Sequence, residues 1–305
     1  MRTPETIITE WFASQSCADK AKFPIGIGDD MAQISFGQNS SVLVTTDMLL
    51  DGVHFDLKSA GIEKAGYKVM AVSLSDCAAM ATVPLAAVVS VALPRGFGAE
   101  ELKVLHSGIR RAGDMFGCVL IGGDITKWDK PLAISSTVLS RPGKTEPVQR
   151  SGARAGDVIC ATGLLGGSLA GRHLEFVPRI EEALAIAEAG ATAMIDLSDG
   201  ISSDLNHICR KSKVGAIVDA DKIPISDAAK KSGDPVKSAL NDGEDFELLF
   251  SISKSDYQSL VKEWKMEVAI TEIGLINDTD KIQLKTADGK LCDLPPCGYD
   301  HLKID

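Results

Sequence analysis

Aspartates recur beside glycines and short polar turns in five stretches of this chain. Gly26–Asp30 (GIGDD) ends in two adjacent carboxylates, and Val42–Asp47 (VLVTTD) delivers Asp47 directly after an apolar run, with Asp51 and His54 close behind. Leu120–Asp124 (LIGGD) repeats the pattern, Ile195–Gly200 (IDLSDG) carries Asp196 and Asp199, and Asn241–Glu247 (NDGEDFE) carries Asp242, Glu244 and Asp245. Asp76 stands in LSD, inside a helix-like stretch. Taken singly, each has a structural explanation, because Asp and Gly are favoured in turns and Asp caps helix N-termini. Asp199-Gly200 reads as a helix cap, and Asp242-Gly243 as a hairpin turn. Taken together, the carboxylates fall mostly at the carboxyl ends of apolar runs, the edge where α/β folds place ligands. Mg²⁺ is a hard ion that takes carboxylate oxygens, waters and substrate phosphates. A convergent set of aspartates therefore suits metal-assisted phosphoryl transfer.

The elements that must position these groups alternate along the chain, which predicts an α/β fold. Strands are expected at Val42–Thr46, Ala87–Leu93, Val119–Ile121, Leu132–Leu139, Val158–Thr162, Gly215–Val218 and Phe246–Ile252, where β-branched and apolar residues cluster. Helices are expected near Thr3–Ser14, Glu63–Met80, Glu100–Met115, Pro178–Glu188 and Ile201–Ser212. The stretch Arg141–Gly156 is rich in Pro, Gly and charge and reads as the linker between two domains, 1–140 and 141–305.

Bulk properties exclude several classes. With 305 residues, 45% hydrophobic and 24% charged, the chain has an ordinary globular composition and the length of two domains. A net charge of −10 argues against a nucleic-acid surface and against docking on an anionic membrane. The N-terminus lacks a basic stretch followed by an apolar one, and no apolar run reaches the roughly 18–20 residues of a membrane span. Seven scattered cysteines, without C-x-x-C pairs, read as reduced thiols of a cytoplasmic protein. No P-loop is present, since Gly163–Gly171 (GLLGGSLAG) has no lysine after it, and the protein-kinase motifs are absent.

The motifs, in order, resemble the thiamine-monophosphate kinases. GIGDDMA at Gly26, TTDMLLDGVHF at Thr45, KVMAVSLSDCAAM at Lys68, IGGDIT at Ile121, RSGARAGDVICATG at Arg150, IDLSDGISSDLNHI at Ile195, DGEDFELLF at Asp242 and GYDHL at Gly298 carry the likeness over nearly the whole chain. Aminoimidazole ribonucleotide synthetase, selenophosphate synthetase and the hydrogenase maturation factor HypE share that superfamily. The resemblance implies a two-domain α/β chain, a homodimer formed through the N-terminal sheet, a C-terminal α/β sandwich and an active site in the cleft. It implies Mg²⁺ held by Asp30, Thr45, Thr46, Asp47, Asp76, Asp124, Asp196 and Asp199. ATP would meet Gly123, Asp124, Arg150 and Ser198, and thiamine monophosphate would lie along His54, Glu244 and Tyr299. Alternatives on the same scaffold are a different acceptor, or nucleotide binding without turnover. The sequence departs from the family pattern at Ser73 (usually Asn), Ala81 (usually Gly), Asn241-Asp242, Phe246 (usually Tyr) and Leu302 (usually Phe), and the stretch around Arg172–Leu174 looks shortened.

Overall fold

A computed structural model describes residues 2–16, 19–37 and 40–299. Cys17 and the end of the GYDHL motif (Asp300, His301 and Leu302) lie outside the described residues.

The first half builds one sheet under helices. Strands β1 (Ala32–Gly37), β2 (Ser40–Leu50), β3 (Thr82–Leu93), β4 (Val119–Lys127) and β5 (Ala133–Pro142) lie in the order β1-β2-β5-β3-β4. All pairings are antiparallel except β3 with β4, which a helical crossover joins in parallel. Helices α1 (Pro4–Gln15), α2 (Leu57–Ala60), α3 (Ile62–Ala79) and α4 (Ala99–Asp114) complete this half. Alternation sets the inner face: Leu43 and Leu49 of β2, Val89 and Val91 of β3, and Ile134 and Val138 of β5 are buried with α3 and α4. The opposite face, with Thr46, Met48, Val88 and Ser90, is exposed.

The second half forms a larger sheet. Strands β6 (Val158–Thr162), β7 (Ala193–Asp196), β8 (Gly215–Asp219), β9 (Leu248–Ile252), β10 (Ile270–Asn277), β11 (Ile282–Lys285) and β12 (Leu291–Asp293) take the order β12-β11-β8-β10-β6-β9-β7. Strands β6, β7 and β9 are buried along their whole length, which is why they read as unbroken apolar runs. Helices α5 (Ile180–Glu188), α6 (Ile201–Ser212), α7 (Pro235–Asn241) and α8 (Lys254–Glu263) accompany this sheet. The mixed α/β class follows the sequence reading, but several boundaries move. Strand β2 runs on to Leu50 and β4 to Lys127, so Asp47 and Asp124 lie within strands rather than after them. Helix α5 starts at Ile180, with Glu181 and Glu182 in its first turn as expected.

Of the expected linker Arg141–Gly156, the first two residues end β5, and residues 143–156 form no regular element yet bury Val148 and Ala153. One apolar cluster continues from α3 and the first sheet into Phe176, Ile180, Met194, Phe246 and Phe250 of the second half. Helix α3 is the shared member, touching α4, α5, β2, β5 and β7. Its burial on nearly every side accounts for the apolar and small residues around its circumference.

The α3–α4 crossing depends on two glycines. A Cβ on Gly66 would stand 2.2 Å from the Leu105 carbonyl oxygen, and one on Gly108 would stand 1.9 Å from the Glu63 carbonyl oxygen. Ala81 sits at φ 53, in the left-handed region that glycine occupies without cost. Gly108→Ala is expected to force the two helices apart and to destabilise the fold by about 1–3 kcal/mol or more. Urea unfolding followed by circular dichroism measures this.

Candidate active site

Four carboxylates meet where α3 joins the two sheets. Asp30 and Asp196 are buried and Asp76 partly so, and one oxygen from each lies within 4.8 Å of the others. Asp47, on the inner face of β2, faces the same group. Each carboxylate is held by a donor from another element. Thr45 donates its hydroxyl to Asp76 Oδ2, and Ser73 Oγ donates to Asp47 Oδ2 at 2.6 Å. Ser75 Oγ donates to Asp196 Oδ2 at 2.6 Å. Arg150 grips Asp30 bidentately, through Nε at 3.0 Å and Nη2 at 2.6 Å, while its backbone N–H donates to Asp29. Ser73 takes the place of the usual Asn and serves as donor to Asp47.

The electrostatics follow from the crowding. Loss of water raises Asp47 to about 6 and Asp196 to about 7, and the neighbouring Asp30 charge pushes both the same way. Desolvation also lifts Asp76 well above the usual carboxylate range, with Asp47, Asp196 and Asp30 adding to it. Burial alone would lower the Arg150 pKa, but Asp30 more than offsets it and holds the guanidinium charged. The donor set is all oxygen and dense in negative charge, which fits hard divalent cations such as Mg²⁺.

The cluster borders a cavity of about 1090 Å³. Asp47, Arg150, Ser198 and Asp199 line one part of it; His54, Lys68, Glu244 and Tyr299 line another. Asp199 precedes α6, whose start at Gly200 has no side-chain cap; Asp204 instead accepts the Asp199 N–H at 3.1 Å. His54 Nδ1 accepts the Leu50 N–H at 3.0 Å, which places the proton of a neutral imidazole on Nε2. The NDGEDFE stretch makes a sharp reversal in which Gly243, Glu244 and Phe246 all have φ between 50° and 71°. Backbone N–H groups of Glu244 and Phe246 tie it to the carbonyls of Ser198 and Leu197.

Some expected residues stand apart. Thr46 borders the cavity, but its hydroxyl is engaged with Ser136 O and Thr137 Oγ1 on the outer side of the sheet. Gly123 and Asp124 lie on β4, in a row that runs Asp47, Ser136, Val89, Gly123 across β2, β5, β3 and β4. Three inter-strand steps of about 4.8 Å separate that edge from Asp47 within one chain, roughly 14 Å. Asp245 and Glu247 turn inward: Arg172 and Arg179 pair with them at 2.7–3.0 Å, and Thr162 donates to Glu247. The shortened stretch forms two 3₁₀ turns, Ser168–Ala170 and Arg172–Leu174, and Arg172 anchors it to these acids.

Sequence reasoning missed Lys68. Its side chain is fully buried, and Nζ donates to Glu244 Oε1 and Oε2 at 2.8 and 2.7 Å. The KVMAVSLSD motif contained the residue but gave no sign of its partner.

Comparison with known proteins decides the family. The family described as AIR synthase related protein, N-terminal domain, matches residues 28–141, and its C-terminal domain matches residues 160–286. The thiamine-monophosphate kinase of Rhodopirellula baltica is 37% identical over 295 residues, covering 92% of each chain. The chain belongs to the thiamine-monophosphate kinase family. The Bacillus subtilis thiamine-monophosphate kinase is 31% identical, covering 92% of this chain and 94% of that one. Among solved structures, AaThiL complexed with AMPPCP and TMP matches with a TM-score of 0.80 at 29% identity, over 98% of this chain and 99% of that chain. Both family domains, and the match to a solved member of the thiamine-monophosphate kinase family, fit the two-sheet architecture found here.

The raised carboxylates set a pH dependence. Asp47 and Asp196 hold protons in the folded chain that the unfolded chain releases near pH 4. Folded stability therefore falls as pH rises from about 4 to about 7, and a cation that displaces those protons binds more strongly across the same window. The melting-temperature rise on adding Mg²⁺ is expected to be larger at about pH 7.5 than at about pH 5.5. Thermal unfolding at the two pH values measures it.

Proposed function

We propose that this protein transfers the γ-phosphate of ATP to thiamine monophosphate, giving thiamine diphosphate and ADP, in the cytoplasm and with Mg²⁺. The observation that carries the reading is the Asp30–Asp76–Asp196 cluster, joined through Asp47 and Arg150 to a cavity whose other part holds His54 and Glu244. Asp30, Asp47, Asp76, Asp196 and Asp199, with Thr45 supporting Asp76, are the residues that would hold the cation. Bound there, Mg²⁺ would neutralise phosphate charge. Arg150 and Ser198 would meet the ATP phosphates, the guanidinium offering two parallel donors. His54, Glu244 and Tyr299 would face the acceptor. A phosphate monoester has its second pKa near about 6, so the acceptor oxygen is already anionic at neutral pH and no side chain has to remove a proton. One acceptor oxygen attacks the γ-phosphorus in line, the bond to the β,γ-bridging oxygen breaks, and that oxygen leaves on ADP. The chain's part is positioning and exclusion of water. Among the described residues, the six cysteines are all free thiols, in keeping with a reducing compartment. No described helix is long and apolar enough to cross a membrane.

The working unit is proposed to be a homodimer, each chain divided near residue 141. Val119, Ile121 and Ile125 of β4, the edge strand of the first sheet, are each more than half exposed, apolar surface that a second copy would cover. Thr46, Gly123 and Asp124 lie on that exposed sheet, so their expected roles toward Mg²⁺ and ATP require a second chain to complete the site.

With ATP, Mg²⁺ and thiamine monophosphate, ³¹P NMR is expected to show thiamine diphosphate and ADP in equal amounts; ATP binding without that product would sink the proposed acceptor. Asp76→Asn is expected to lower turnover by at least about a hundredfold while circular dichroism stays unchanged. Light scattering is expected to give about twice the 32.3 kDa chain mass, and Ile121→Glu to give monomers with reduced turnover. A fully active monomer would contradict the dimer.

A further inference from the structure

Lys68 is one of the most deeply buried charges in the molecule, with no exposed side-chain surface. Such a group survives only with full pairing. An ammonium has three N–H donors, and all three are spent: two on the Glu244 carboxylate at 2.8 and 2.7 Å, and one on the His54 carbonyl oxygen at 2.5 Å. Lys68 therefore has no donor left for a substrate phosphate. Its two partners come from different halves of the chain. His54 lies in the turn after β2, which Leu50 N–H fastens to His54 Nδ1. Glu244 lies in the reversal before β9, with φ 52 and its N–H on Ser198 O.

Helix α3 makes a second reach into the other half about two turns further along the same face, where Ser75 Oγ holds Asp196. Lys68 and Asp76 are eight residues apart, about 12 Å along the helix axis. The helix thus carries an anchor for the Glu244 end of the cavity and an anchor for the carboxylate cluster on one rigid body.

Resting on the proposed reaction, we infer that Lys68 is a positioning residue for the acceptor: it fixes Glu244 and the His54 turn as one wall and sets that wall's distance from the carboxylate cluster. Glu244, aimed by Lys68, faces the cavity at 22% side-chain exposure. A carboxylate in that place selects for an acceptor bearing a positive or hydrogen-donating ring next to its phosphate. Loss of Lys68 leaves a charge that is poorly solvated and no longer oriented.

The test compares wild type, Lys68→Met, Glu244→Gln and the double variant, titrated calorimetrically with thiamine monophosphate and, separately, with AMPPCP and Mg²⁺. Lys68→Met is expected to weaken thiamine monophosphate binding by at least about tenfold and to raise its KM, with AMPPCP affinity within about twofold of wild type. The double variant is expected to bind the acceptor no worse than Glu244→Gln alone, because Lys68 acts through Glu244. Equal acceptor affinity in Lys68→Met and wild type overturns the inference, as does an equal loss for both ligands. Should Lys68→Met fail to fold, the double variant, which leaves no unpaired charge, carries the comparison: a further loss beyond Glu244→Gln overturns the inference. Absence of thiamine monophosphate binding in wild type instead removes the proposed reaction, and this inference falls with it.

Discussion

Like charges crowded out of water are what the site must hold in place. Two unit charges about 4 Å apart repel by about 4 kcal/mol at an effective dielectric near 20; Asp30, Asp76 and Asp196 bring three carboxyl groups within 4.8 Å of one another, and Asp76 and Asp196 respond by holding their protons more tightly. A flexible chain would let them swing apart. Here each is tethered by a donor that comes from a different element: Thr45 from β2, Ser75 from α3, and Arg150 from the stretch between the sheets. The tethers hold only as well as their own elements are held. Ser73 and Ser75 depend on the burial of α3, and α3 depends on its close crossing with α4, where the backbones meet at Gly66 and Gly108. Apolar packing far from the cavity is thus what keeps the carboxylates together.

Helix α3 also explains why the two halves behave as one site. The apolar cluster around it continues into the second sheet, so the halves are not two bodies tied by a loose segment. The presumed linker reinforces this, since Arg150 leaves it to bind Asp30 and its N–H takes Asp29. A helix shared by both halves ties the parts of the cavity that each half lines to one element.

Much of the cluster was legible in the sequence because aspartate beside glycine is both a chemical and a conformational signal. Asp30, Asp47, Asp76, Asp196 and Asp199 all reach the cavity or the cluster beside it. Position within the element was less legible. Apolar runs appeared to stop before Asp47 and Asp124, whereas hydrogen bonding carries β2 and β4 past them, since pairing with β5 and β3 outlasts the apolar pattern. That shift decides which face a side chain takes: Thr45 and Asp47 look inward, Thr46 outward. In NDGEDFE, acidity alone does not separate Glu244, which faces the cavity, from Asp245 and Glu247, which neutralise Arg172 and Arg179. Lys68 was invisible for a related reason. A lysine in an apolar helix reads as a solvated tip, and the carboxylate that buries it lies 176 residues away.

The Asp30–Arg150 pair shows how part of the cluster's charge is balanced from within the chain. Two of the five guanidinium donors rest on Asp30, so the arginine itself is the compensating charge at that corner of the cluster. A carboxylate oxygen has two acceptor directions, and Arg150 uses one on each. Asp30 thus keeps capacity toward a metal while remaining paired. In the proposed reaction, a polyphosphate with its cations would offer the guanidinium a second set of anionic oxygens, and the cations would offset the mutual repulsion that adds to desolvation in raising Asp76 and Asp196. The charges of protein and ligand then become complementary only as an ensemble: acids, cations, phosphates and Arg150 in alternation. Removing any one layer leaves its neighbours facing like charge, which is why an acidic chain can bind an anionic substrate at all.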